Sequence, residues 1–578
     1  MDVPNLSEIS LETLDLGAQL VGEVCRFRVW APKAKQVLVR LNGRDREMRR
    51  GENGYFELEA PAKAGDRYFY IVDGQKPVPD PVSRFLPEGV HRATEIIDPE
   101  AFAWTDQDWR GVPYQNAVFY ELHIGTFTGE GTFAAAIAKL PYLKQLGITM
   151  IELMPVAAFP GARNWGYDGV SPYAVQNSYG GPHELKKLVD AAHAIGLGVT
   201  LDVVYNHLGN EGNYLGMFGP YFTDRYKTPW GMAVNYDGPD SAEVRRYFIE
   251  NALFWVREYH MDGLRLDAVH AIFDSSKPHI LQEFATRVHE LGRQLGREVA
   301  MVAESDANDA ALVRLPEHGG FGYDGAWSDD FHHAVHAVLT QEHDGYYQDY
   351  GKPQQIVKAL NEGFVFQGEH FKYWDKPRGT DCRDVPCFAH VFCLQNHDQV
   401  GNRPKGDRLN AVISRGAYKA AAALLLLAPE TPLLFMGQEY NEKHPFQFFT
   451  DHGDPELQKA IVEGRRAEFK KFAWQEVPAP QEPETFVRSK LSWQLDEDVL
   501  EWYRKLMELR QKYVVGTKRT CKAQLRGGVI VMEIPRENPR LRVSVNFTGH
   551  VIVDDSWKSE LVSQEDGSMV VVETSLSG

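Results

Sequence analysis

The chain has 578 residues, 43% of them hydrophobic and 25% charged, a composition that supports a sizeable core and excludes disorder as the default state. Its formal net charge of −18 comes from acidic residues spread along the chain. That excludes nucleic acid as the main partner, because phosphate binding needs clustered Lys and Arg, and it fits a neutral, hydroxyl-rich ligand. Cys25, Cys382, Cys387, Cys393 and Cys521 form no CxxC pair, so neither a disulfide framework nor a zinc site is expected; reduced thiols, Cys382 and Cys387 included, suit a cytoplasmic protein.

Taken in chain order, the N-terminal stretch MDVPNLSEISLETLDLG is acidic and shows neither a basic region nor an apolar core of a signal peptide. Residues 1–105 read as a β-sandwich. Cys25, Phe27 and Val29 alternate with Arg26, Arg28 and Trp30, the period of a half-buried strand. Val37, Val39 and Leu41 repeat the pattern before a hairpin signal at Asn42-Gly43, and RYFYIVDG ends in Asp73-Gly74.

Between about residues 106 and 480 the texture changes. Eight short apolar runs follow one another: AVFYELHIG, ITMIELMPV, GVTLDVVYN, GLRLDAV, VAMVAES, DGAWSDD, HVFCLQNHD and TPLLFMGQE. Helix-like segments such as His183 to Ile195 and Ala242 to Tyr259 lie between them. Near-continuous apolar strands alternating with helices imply a parallel sheet covered on both faces, and eight repeats imply an α/β fold of the closed (β/α)8 TIM-barrel type. No Gly-rich phosphate fingerprint follows the first run, so no dinucleotide or other cofactor is expected. Leu208 to Ser241, rich in Gly, Tyr and Pro, reads as a lid-like insertion at about 208–241. The run Ala420 to Ala428 is too short to span a bilayer, so no membrane partner is expected. VPAPQEPET marks a boundary near residue 480. Beyond it, 481–578 read as linker, a helix with Trp502, Leu506, Leu509 and Tyr513 on one face, and a C-terminal β domain containing GGVIVMEI and RLRVSVNF.

In such a barrel the chemistry sits where strands end, among the βα loops. The third run ends in Asp202-Val-Val-Tyr-Asn206-His207, the fourth in Arg265-Leu-Asp267, the fifth in Glu304 and the seventh in Asn396-His397-Asp398. Carboxylates converging from different strands match glycoside hydrolysis, in which a retaining enzyme pairs a nucleophile with an acid roughly 5–5.5 Å away. Arg265 and Asp267, two apart on a strand, share a face, and the cation favours an ionised nucleophile. Glu304 follows the apolar VAMVA, where desolvation and negative neighbours favour a protonated acid. His207 and His397 offer hydrogen bonds to sugar hydroxyls, and Trp165 and Tyr167 a stacking platform.

The segments DVVYNH (202–207), GLRLDAVH (263–270), AES (303–305) and NHD (396–398) resemble the four signature regions of the α-amylase superfamily. The resemblance implies Asp267 as nucleophile, Glu304 as general acid/base and Asp398 as stabiliser of the transition state. It further implies substrate contacts by Trp165, Tyr167, His207, Arg265, His270, Asn396 and His397. The flanks AESDAND, GYDGAWSDDFHHAVH and LQNHDQVGNR are similar to the trehalohydrolase branch of that superfamily. Its members cleave the α-1,4 bond joining a maltooligosyl chain to a terminal trehalose, so maltooligosyl trehalose or a related α-glucan is the implied partner.

Plainer readings stand beside these. Asp202 anchors a strand end or contacts ligand; Asp329 and His332 contact substrate, or the Asp329-Asp330 pair caps a helix. No HxxxH or HExxH spacing supports a metal among the clustered His and Asp residues, and the insertion lacks a carboxylate cage, so no calcium is expected. Glu439 is structural or lines the cleft. Two rival functions remain: glycogen branching or debranching on the same barrel, and glucan binding without catalysis. Oligomeric state leaves no trace in the sequence.

Overall fold

The computed structural model describes residues 9–11, 13–469, 478–516, 520–535, 540–552 and 556–575. The N-terminal region folds into two four-stranded antiparallel sheets. One contains Val24–Trp30, the other Val37–Leu41 and its hairpin partner Arg44–Glu47. Cys25, Phe27 and Val29 face the core as the alternation predicts, and Phe27 packs edge-on to Tyr68 of the opposite sheet at 5.0 Å. Trp30 departs from the pattern. It is buried too, because the insertion of the next domain covers the outer face: Trp30 packs edge-on to Tyr221 at 5.4 Å, and a Cβ on Gly219 would meet its ring at 2.6 Å. The sandwich is thereby tied to the barrel.

The eight apolar runs all form strands: β1 Phe119–Leu122, β2 Met150–Leu153, β3 Gly198–Val203, β4 Gly263–Leu266, β5 Ala300–Ala303, β6 Gly325–Trp327, β7 His390–Cys393 and β8 Thr431–Phe435. They pair in parallel in chain order, and β8 returns to β1 to close the barrel. Every residue in them is buried, which explains why they read as continuous apolar runs rather than alternating ones. Tyr114, Phe119, Met150, Trp327, Val391 and Leu433 belong to a cluster that fills the interior. Register then sets the upper end: Asp202 of β3 lies beside Arg265 of β4.

The helices that matter below are α1 Leu140–Leu146, α2 Gly181–Ala194, α3 Ser241–Glu258, α4 Ile280–Leu295, α5 Asp329–Thr340, α6 His397–Gly401, α7 Arg415–Leu427, α8 Pro455–Phe469 and α9 Glu497–Tyr513. α2 and α3 match the helices read from the sequence. The insertion after β3 holds the hairpin Phe222–Thr228/Gly231–Val234, with Trp230 at its turn.

α9 packs against α7 and α1. Trp502 Nε1 donates to the Lys419 carbonyl at 3.0 Å, and Gln438 Nε2 to Tyr503 Oη at 3.1 Å. The apolar face seen in the sequence therefore closes the ring of barrel helices. The described part of VPAPQEPET, from Pro478 on, is not a free linker either. Thr450 N donates to the Pro480 carbonyl at 2.9 Å; Val477 lies outside the described residues. A five-stranded sheet, which includes Val529–Ile534 and Leu541–Asn546, follows. None of the five cysteines forms a disulfide, and no helix among the described residues is long and apolar enough to cross a membrane.

Candidate active site

At the C-terminal ends of the strands lies an open cleft of about 610 Å³. Asp267, Glu304 and Asp398 all line it, with Trp165, Tyr167, His207, His270, Asp329 and His397. The geometry grows from Arg265, which is fully buried beneath the carboxylates, 4.1 Å from the Trp327 ring centroid. Its Nη1 reaches Asp202 Oδ2 at 2.7 Å and Asp267 Oδ1 at 3.1 Å, and its Nη2 stands 3.7 Å from Glu304 Oε2. One guanidinium thus touches or approaches three carboxylates from three adjacent strands.

Both oxygens of Asp267 are held, Oδ1 by Arg265 and Oδ2 by Asn206 Nδ2 at 2.8 Å. Glu304 is placed by the chain that follows Asp267. The Ala268 N–H donates to Glu304 Oε2, and Ala268 itself takes a left-handed conformation (φ 40°, ψ 52°), strained for a residue with a Cβ. Burial raises the Glu304 pKa well above the usual carboxylate range; Arg265 opposes the rise, and Asp267, Asp398 and Asp329 add to it. Burial also raises Asp202 to about 6, against the pull of Arg265.

Asp398 sits in the first turn of α6. Asn396 caps that helix, its side chain accepting from Gln399 N at 2.9 Å. Asp398 Oδ1 accepts from Asn402 Nδ2 at 3.0 Å, and its side chain remains 40% exposed to the cleft. Glu121, on β1, accepts from His397 Nδ1 at 2.5 Å and from His397 N at 3.0 Å. Burial works against the imidazolium, yet Glu121 and Asp398 lift the His397 pKa to about 9. His397 also stacks on Tyr167 at 5.0 Å, and Tyr167 Oη donates to Asp202 Oδ2 at 2.6 Å.

Four expectations change. His332 does not reach the cleft: its ring nitrogens pair with the Leu394 carbonyl and Tyr347 Oη, and its neighbour His333 lines the cleft instead. Asn396 is 1% exposed and occupied as a cap, so it holds Asp398's helix rather than a sugar. Arg265 lies under the carboxylates, out of a ligand's reach. Trp165 is 3% exposed, its face stacked on Phe446 at 5.3 Å, so it frames the cleft rather than offering an open platform. Asp329 does line the cleft and makes no side-chain cap bond; burial, with Asp398 and Asp306 nearby, raises it to about 7. Its neighbour Asp330 is structural, accepting from Asn308, Tyr350 and the N–H groups of Val365 and Phe366. Glu439 is also structural, buried against Tyr120 and Tyr142.

Sequence reasoning missed Glu121, Trp230, Tyr373, Trp374, Arg378, Asn402 and Arg465. A carboxylate inside the apolar run of β1 was a usable signal for Glu121. Trp230 had none: it comes from a distant hairpin to stack on His207 at 4.8 Å.

Two family models match the chain: "Alpha amylase, catalytic domain" over residues 96–224 and "Carbohydrate-binding module 48 (Isoamylase N-terminal domain)" over 15–99. Barrel, sandwich and carboxylates together define a glycoside hydrolase of the α-amylase class. The malto-oligosyltrehalose trehalohydrolase of Saccharolobus solfataricus is 47% identical, with 88% of each chain covered. That of Arthrobacter ramosus is 48% identical over 85% of this chain and 88% of its own. A Salmonella typhimurium structure provisionally assigned as an α-amylase superposes with TM-score 0.91 at 40% identity, covering 98% of this chain and all of its own. A 1,4-α-glucan branching enzyme from Pseudoalteromonas atlantica is more distant, 30% identical over 62% of this chain and 55% of its own. The chain belongs to the malto-oligosyltrehalose trehalohydrolase family.

Proposed function

We propose that the protein hydrolyses the α-1,4-glucosidic bond next to the terminal trehalose of maltooligosyl trehalose, releasing trehalose with retention at the cleaved anomeric carbon. Asp267 attacks that carbon as Glu304 gives its proton to the departing glycosidic oxygen, and trehalose leaves. Water then attacks the glycosyl ester, losing a proton to Glu304 and freeing Asp267. Asp398 grips the distorted sugar's hydroxyls and stabilises its positive charge. His207, His270, Asp329, His397, Tyr167 and Trp165 frame the bound glucan.

The observation that carries this reading is the division of labour around Arg265. Asp267 has both oxygens held by donors, whereas buried Glu304 is driven toward its protonated form, the opposed environments that two carboxyls need for two roles. Five cysteines that form no disulfide support a cytoplasmic location. We take the sandwich to end near residue 105 and the catalytic unit to run from there through α9, the C-terminal sheet being a separate domain.

Purified protein is incubated with maltooligosyl trehalose, plain maltooligosaccharide and glycogen, and the products are separated. Free trehalose as the dominant product is expected, with slow action on plain glucans. New α-1,6 branches or debranched chains overturn the substrate assignment. Asp267→Asn and Glu304→Gln should each remove nearly all turnover in folded protein; near-normal activity in either overturns the roles.

A further inference from the structure

α8 lies in the excursion between β8 and α9, outside the barrel's repeats, yet it touches the site. Arg465, near its C-terminal end, donates from Nη2 to the Gly401 carbonyl at 3.0 Å and from Nη1 to Asn402 Oδ1 at 3.0 Å. Its guanidinium lies 4.7 Å from the Phe448 ring centroid. Asn402 in turn donates from Nδ2 to Asp398 Oδ1 at 3.0 Å. Three side chains, from α8, from the residue that caps the end of α6 and from α6 itself, therefore form a line that ends on the carboxylate facing the cleft.

The chemistry of the middle member gives that line a direction. A carboxamide has one accepting end and one donating end of nearly the same shape, whereas a guanidinium only donates and a carboxylate only accepts. With Arg465 on one side, the Asn402 oxygen faces the guanidinium and its NH2 faces Asp398. Turned over, the amide would set oxygen against carboxylate and NH2 against guanidinium, two repulsive contacts in place of two charge-assisted bonds. Phe448 holds Arg465 in place by stacking, and the Gly401 carbonyl ties it to the end of the short helix that carries Asp398.

We propose that Arg465 and Asn402 are positioning residues for Asp398, so that a helix outside the barrel completes the site by fixing one carboxylate's orientation. The proposal rests on the role assigned to Asp398 above. Arg465 also borders the cleft, so the alternative is a direct contact with glucan, and the two make different kinetic predictions.

The test uses the full-length chain carrying Asn402→Ala, Arg465→Ala, Arg465→Lys, the double change Asn402→Ala/Arg465→Ala, and Asp398→Asn as reference, each first checked by thermal melting. A misaimed group costs rate rather than binding. Asn402→Ala and Arg465→Ala should each lower kcat by ~10- to 100-fold while KM stays within about twofold of wild type. The double variant should be no worse than the weaker single one, because both act through one bond to Asp398. Millimolar guanidinium should restore part of the Arg465→Ala rate and none of the double variant's. Arg465→Lys, which keeps the charge but not the fork, should fall between, and it serves as the reference if the alanine variant does not fold. A raised KM with unchanged kcat in Arg465→Ala, or additive losses in the double variant, would overturn the relay in favour of direct contact or independent effects. An Asp398→Asn enzyme of near-normal rate would instead remove the role of Asp398, so the two failures are separable.

Discussion

Glu121→Gln is the most informative perturbation of the site, because it removes one charge with little change of shape. Glu121 is 1% exposed and accepts from both the ring and the backbone N–H of His397. A glutamine oxygen keeps one of those bonds but not the counter-charge. Burial alone would push the His397 imidazole toward its neutral form; Glu121, helped by Asp398, lifts it from 6.5 to about 9. At 1.36 kcal/mol for each pKa unit, that lift is roughly 3 kcal/mol of preference for the charged ring in the folded protein. A folded pKa raised above the unfolded value stabilises fully below about pH 6.5 and is lost as pH rises through about 9. Unfolding free energies from urea titrations, taken every half pH unit from 6 to 10, read this directly. The wild type should lose roughly 3 kcal/mol more across that window than Glu121→Gln, and the variant's kcat should begin to fall at lower pH as His397 loses its proton. Parallel stability curves for the two proteins would refute the ion pair as the source of the charge on His397.

The remaining predictions concern the cleft wall. Asp329→Asn removes one of the negative neighbours that raise Glu304; the alkaline limb of the kcat/KM profile, where the acid loses its proton, should move to lower pH, and an unmoved limb would separate the two groups. Trp230→Ala, at the exposed hairpin turn, should raise KM by about three- to tenfold through lost stacking with little change in melting temperature. His332→Ala should destabilise by about 1–3 kcal/mol by orphaning its two buried partners while leaving kcat intact. A kcat loss without destabilisation would return His332 to the cleft.

The barrel was legible because parallel strands covered on both faces leave a signal that no loop mimics: eight buried runs, each flanked by helix, and each became a strand. Asp267, Glu304 and Asp398 were legible because strand ends become the mouth of such a barrel, so position along the chain fixes position in the site. The errors have a common physical form. His332 and His333 are one residue apart on α5, and a helix turns consecutive side chains by about 100°, so the sequence cannot say which faces the cleft. The apolar face of α9 announced that it would be buried, but not that α7 and α1 would bury it.

Sequence by itself thus determined the order of elements, the sandwich before the barrel, and which carboxylates end which strands, since these depend on local period and on spacing along one chain. Only tertiary structure decided the partnerships: Glu121 with His397, Trp230 with His207, Arg465 through Asn402 to Asp398. Apart from the local step between Asn402 and Asp398, four residues apart, each joins different excursions or strands of the chain, and their distance and orientation are set by barrel closure and by how the excursions pack on it.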